Sequence, residues 1–316
     1  MKILYQPQFP VHMRYQWWHY LYLERVFDKH FHSENVITLG KDFISDELNS
    51  DATKYDKQNF SPINRAIELE NIQSIEYMQY MQNIPLSGDI LYCSDLSFPG
   101  FFSNVLYHKR PMRSFAYCHA TSINKFDYFE NVSHSKWLCE MGHSRMFDKI
   151  FVGSKYHADK LGWKNVEVVG LPKPPFCTYK EEKIYDVISV ARPCVQKVNS
   201  MVEDRVNAKW PIIRKENETW GDYYKFLSQA KILLISAKED TFNYSILEAV
   251  MNNTIVLAPN RCSYPELLPR EYIWDNVYDL QEKIEYYLNH YTEVPKLLNE
   301  ELIDKFYDNI IDIMTK

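Results

Sequence analysis

Glycine is scarce in this chain, with eight residues among 316. None of them builds G-x-G-x-x-G or G-x-x-x-x-G-K-S/T, so dehydrogenase and P-loop readings lose their phosphate cradle. The six cysteines, Cys93, Cys118, Cys139, Cys177, Cys194 and Cys262, form no C-x-x-C pair. They read as reduced core or turn thiols, which argues against structural zinc. Nine of the ten histidines fall in the first half, yet none stands in H-x-x-x-H or H-E-x-x-H, so a histidine metal site is not expected either. No run approaches the roughly 18 apolar residues of a membrane span. The first residues follow a strand pattern in place of a basic region and apolar core, and the expectation is a cytoplasmic protein. A basic excess is also missing, with net charge −6 and a pI near 6.0. The footprint of a nucleic-acid binder is therefore absent in bulk, and only a short cluster, His108, Lys109, Arg110 and Arg113, could serve as a local patch.

What the chain has is a 46% hydrophobic composition, enough for two α/β cores. In the first half, Lys2–Tyr5, Val36–Leu39, Asp89–Cys93 and Ser114–Cys118 read as strands, with a long helix over Ile63–Met81. In the second half, strands near Val187, Ile212, Leu233 and Val256 alternate with helices over Tyr223–Gln229 and Val277–Leu288. Such alternation in both halves predicts two Rossmann-like sheets. Pro172, Pro174 and Pro175 mark a linker between them. We accordingly expect domains over 1–172 and 173–294, and a closing helical segment over 295–316.

Three segments carry chemistry. In the first, the apolar run Ile232–Ile235 enters a polar turn and then a helix over Ser245–Met251. The turn thus lies at a carboxyl strand end, where open α/β sheets bind ligands, and the helix offers free N–H groups to an anion. Asp240 and Glu248 frame this turn, and carboxylates are natural acceptors for sugar hydroxyls. The plainer reading is a polar loop whose helix is capped by Asn243 or Ser245. In the second, a strand near Val187 is followed by two cations five positions apart, Arg192 and Lys197. In the third, a strand ends at His119.

In this order and spacing the segments resemble the retaining family-4 type of glycosyltransferase with the GT-B fold, in which two Rossmann-like domains face each other across a cleft. The resemblance runs from about residue 112 to 270. It includes the strand ending at Ser154 and the linker strand around Val166–Gly170. Family members carry Glu, seven residues, Glu-Ala. Here Asp240 stands for the first Glu, Phe242 is kept, Asn243 and Ser245 replace small Gly and Pro positions, and Glu248-Ala249 closes the motif. The resemblance implies that Arg192 and Lys197 hold a diphosphate and stabilise it as it leaves. It gives Glu248 the ribose, Asp240 and His119 the sugar, and the turn Asn243, Tyr244 and Ser245 to the donor. A fixed cation in a dry cleft lowers the barrier to departure of an anion, so the implied enzyme is metal-independent, with a nucleotide sugar, UDP favoured, as co-substrate.

Two departures from the family pattern stand out. The glycine-rich loop expected after the first strand is replaced by Gln6-Pro7-Gln8-Phe9-Pro10. The stretch from Lys197 to Trp220, which frames the base in relatives, is too short for its full set of strands and helices. The acceptor, a glycan, a small molecule or modified DNA, belongs to the first domain, where Tyr15–Tyr20 is an aromatic run. That run reads as a buried helix face before it reads as a stacking platform. A composition rich in Tyr, Asn, Ile and Lys fits an AT-rich genome such as a bacteriophage's, so one alternative is a DNA glycosyltransferase acting on a hydroxymethylated or hydroxylated base in the host cytoplasm. The other is a non-catalytic nucleotide-sugar-binding protein.

Overall fold

A computed structural model describes residues 1–8, 14–48, 63–83, 89–96, 113–126, 134–173, 178–291 and 294–316. Two parallel sheets organise them. The first has six strands, β1 (Ile3–Gln6), β2 (Val36–Thr38), β3 (Ile90–Cys93), β4 (Arg113–Tyr117), β5 (Lys149–Val152) and β6 (Val166–Val168), in the order β2-β1-β3-β4-β5-β6. The second has β7 (Tyr185–Ile188), β8 (Ile212–Ile213), β9 (Ala230–Leu234), β10 (Ile255–Pro259) and β11 (Ile273–Trp274), in the order β11-β10-β9-β7-β8. Every pairing is parallel. Strands of a parallel sheet are covered on both faces, which is why β1, β3 and β10 are unbroken apolar or buried runs without alternation.

The period of two still sorts the first sheet's side chains. Ile3, Tyr5, Ile90, Tyr92, Phe115, Tyr117 and Phe151 point into one core layer. Leu4, Leu91, Cys93, Ala116, Ile150 and Val152 point into the other. The first layer is closed by Leu23, Phe27 and Phe31 of helix Arg14–Phe31 and by Phe306, Ile310 and Met314 of helix Phe306–Thr315. The last helix therefore lies on the first sheet. The closing helical segment expected over 295–316 is two helices, Glu300–Asp304 and Phe306–Thr315, separated at Lys305.

Between Lys197 and Trp220 the second half holds one helix, Ser200–Asn207, and the two-residue strand β8. The sheet accordingly ends at β8, one neighbour away from β7. Among the described residues no helix is long and apolar enough to cross a membrane. The loop around Phe9 and Pro10, the basic residues 108–112, the side chains of the aromatic run Tyr15–Tyr20 and part of the proline-rich linker lie outside the described residues.

Candidate active site

In the second sheet the chain leaves β7 toward β8 on one side and returns through β9 on the other, so the switch of direction lies between β7 and β9. Crevices for ligands open at such points, beyond the carboxyl ends of the strands. Arg192 and Lys197 follow β7, and Asp240 follows β9. The structure joins Lys197 to Asp240, Nζ to Oδ2 at 2.9 Å. Asp240 is 6% exposed and also accepts from Asn243 Nδ2 at 3.0 Å and from the Tyr264 hydroxyl at 3.4 Å. A carboxylate this buried needs such partners, since desolvated charge is otherwise costly. Arg192 is half-buried in the same loop.

Asn243 caps the helix Tyr244–Met251, its Oδ1 accepting from the Ser245 N–H at 3.0 Å. One amide thus orients Asp240 and starts the helix. Tyr244, the first helical residue, donates its hydroxyl to the Pro172 carbonyl at the end of the first half. Ser245 is buried, with the Tyr223 hydroxyl 3.4 Å from its Oγ. Glu248 departs from the expectation of a carboxylate open to a polyol. It is 0% exposed, and its two oxygens accept from Tyr223 at 2.7 Å and Tyr224 at 3.1 Å. Those tyrosines are adjacent on helix Trp220–Ser228, which packs on the Tyr244–Met251 helix and covers the carboxylate.

The first half meets this turn directly. His119 follows β4, half-buried, with its ring 4.5 Å from that of Tyr117. Burial pulls its imidazole pKa down to about 3, which leaves it neutral at physiological pH. Its backbone carbonyl accepts from Thr241 Oγ1 at 2.9 Å, so the residue after Asp240 is tied to the predicted histidine. Ser154 Oγ donates to the Thr241 carbonyl at 2.5 Å and accepts from the His157 N–H, capping helix Lys155–Leu161. Gly153 sits where a Cβ would come within 3.1 Å of the Phe242 side chain, so glycine permits the close approach of the two halves.

Sequence reasoning passed over two carboxylates. Glu239, 6% exposed, faces Lys160 and Tyr156 of the first half. Asp95 follows β3 at the carboxyl edge of the first sheet, equally buried, and accepts from Gln8 Nε2 at 3.1 Å. Its position at a strand end was the available signal. Among the described residues no group of three or more His, Cys, Asp or Glu is placed to hold a metal ion.

The fold is GT-B. The chain superposes on sucrose-phosphate synthase from Thermosynechococcus elongatus over 99% of its own length and 98% of that chain, at 8% identity and a TM-score of 0.66. It also resembles TarM of S. aureus, solved in complex with Fondaparinux, alpha-GlcNAc-glycerol and UDP. That match has 14% identity and a TM-score of 0.51 and covers 77% of this chain and 56% of TarM. No protein-family model matches. Among curated proteins, a stretch of 88 residues is 27% identical to the tRNA-queuosine alpha-mannosyltransferase of Drosophila melanogaster, 28% of this chain and 22% of that enzyme. The chain thus spans under two thirds of both TarM and the mannosyltransferase.

Proposed function

We propose that the chain is a glycosyltransferase that moves a sugar from a nucleoside-diphosphate donor to a hydroxyl acceptor, with retention of configuration and without a metal ion. The observation that carries this reading is the Lys197–Asp240 pair at the switch point of the second sheet, tied through Thr241 to His119 of the first. In this reading Arg192 and Lys197 take the diphosphate, Lys197 exchanging Asp240 for phosphate oxygens. Asp240, freed, accepts a hydroxyl of the sugar, and neutral His119 shares another. The helix starting at Tyr244 adds its free N–H groups beside Asn243 and Ser245. Glu248 is assigned the ribose, which it reaches once the Tyr223 hydroxyl moves off Oε2. Fixed cations stabilise the departing diphosphate in the transition state, where their charge is worth most.

UDP is the favoured carrier, in keeping with its presence in the TarM complex. The local similarity to a tRNA-queuosine mannosyltransferase favours a second reading of the acceptor as a hydroxyl on a modified nucleoside of a nucleic acid. The first reading of the acceptor is a glycan or small molecule.

The test is a thermal-shift screen with UDP, GDP, ADP, CDP and dTDP and their sugars. One nucleotide at a hundred times its dissociation constant should add about 2.7 kcal/mol of stability. Arg192→Ala should lose that shift while folding normally and slow transfer by orders of magnitude. A wild-type chain stabilised by none of the nucleotides would sink the reading.

A further inference from the structure

Two consecutive carboxylates occupy the turn after β9, and they take partners from opposite halves. Asp240 pairs with Lys197 of the second half. Glu239 pairs with Lys160 of the first, Nζ to Oε1 at 2.7 Å. The Tyr156 hydroxyl lies 3.0 Å and 3.1 Å from the two Glu239 oxygens, and Asn124 Nδ2 donates to Oε1 at 3.3 Å. Tyr156 and Lys160 stand one turn apart on helix Lys155–Leu161, so a single helical face presents both donors. Asn124 is held in turn by Thr121, whose N–H donates to its Oδ1 at 2.9 Å.

The helix that carries these donors is itself fastened to the second half. Both oxygens of Glu266 accept from its opening N–H groups, Lys155 at 2.8 Å and Tyr156 at 2.6 Å. On the other side, the Lys238 and Glu239 N–H groups both donate to the Gln196 carbonyl, beside Lys197. The turn 238–241 therefore lies between the cation loop behind it and a first-half helix in front of it.

We propose that Glu239 is a positioning residue for the transfer: docked on Tyr156, Lys160 and Asn124, it sets the turn so that Asp240 faces Lys197. This assignment rests on the glycosyltransferase reading above. Lys160 and Lys197 thus divide the two neighbouring carboxylates between them, Lys160 taking Glu239 and Lys197 taking Asp240. Because the described partners of the Glu239 carboxylate come from the first half, contact between the halves holds the donor turn in this geometry.

The test compares Glu239→Ala, the first-half variant Tyr156→Phe with Lys160→Met, and their combination. Glu239→Gln serves as the conservative control, since its amide oxygen still accepts from Tyr156. Without ligand, amide exchange over 238–243 should rise about tenfold in both single-sided variants and no further in their combination, the mark of one shared interaction. The affinity for UDP, or for the nucleoside diphosphate that the screen selects, should fall by about tenfold in Glu239→Ala and recover in part in Glu239→Gln. Unchanged exchange over 238–243, or increases that add in the combination, would overturn the assignment while wild-type nucleotide binding kept the glycosyltransferase reading. A wild-type chain that binds no nucleotide would overturn both.

Discussion

His157 lies close to His119 of the candidate site, and burial pulls both imidazoles down to about 3. His157 is 1% exposed, its Nε2 is buried without a hydrogen-bond partner, and the nearby His119 and Lys160 further oppose its protonation. His119 keeps part of its surface exposed, so the larger share of any effect falls to His157. Between about pH 3 and the ordinary value of 6.5, the folded chain binds fewer protons than the unfolded chain. The stability present above pH 6.5 is therefore lost as pH falls through that window. Thermal denaturation from pH 7 to pH 4 should show a falling Tm, and His157→Gln should flatten the slope. At this scale the sequence was legible where a residue's partners are its neighbours: Asn243 was readable as a cap, and Lys197 as a cation next to a strand. It was not legible where partners are distant. Tyr223 and Tyr224, some 25 positions before Glu248, are the residues that bury its carboxylate. Glu239 meets Lys160 across 79 positions, a pairing no local pattern encodes.

Among elements, the junction of β5 with helix Lys155–Leu161 is closely constrained. Gly153 faces Phe242 so closely that a Cβ would lie 3.1 Å from it, Ser154 caps the helix and binds Thr241, and Glu266 takes the next two N–H groups. Gly153→Val should push Phe242 and its turn away from β5. The expected cost is about 1–3 kcal/mol, as for other overpacked sites, with weakened nucleotide binding. Chemical denaturation and calorimetry check the two effects, and a variant unchanged in both would show that the turn adapts freely. The first four strands were readable to within one residue, because parallel strands buried on both faces leave unbroken apolar runs, whereas the two-residue β11 was not anticipated. The shortage of chain between Lys197 and Trp220 was readable as well, and it emerges as the two-residue β8 at the sheet's edge. How the turn after β9 sits against the first half was not readable, since it depends on side chains meeting across the cleft.

For the molecule as a whole, the first sheet is finished by residues from the far end of the described chain. Phe306, Ile310 and Met314 fill one core layer with Tyr5, Phe27 and Tyr92. Ile310→Ala should cost about 2–5 kcal/mol. Since the second sheet has its own core, the loss should appear in the unfolding of the first half, as a lowered early transition in calorimetry with the later one little changed. A uniform shift of all transitions would mean that the halves unfold as one unit. The two-sheet architecture was visible in the sequence as alternating elements in each half, whereas the break at Lys305 was not, because the apolar spacing continues across it. The interleaving also has a consequence for biosynthesis. On the ribosome, the second sheet is contiguous and can close as soon as it emerges. The first sheet, although translated earlier, must keep the layer around Tyr5 and Phe27 uncovered until residues 306–315 arrive. The half made first is thus the half completed last, and it is the one most in need of shielding from aggregation during synthesis.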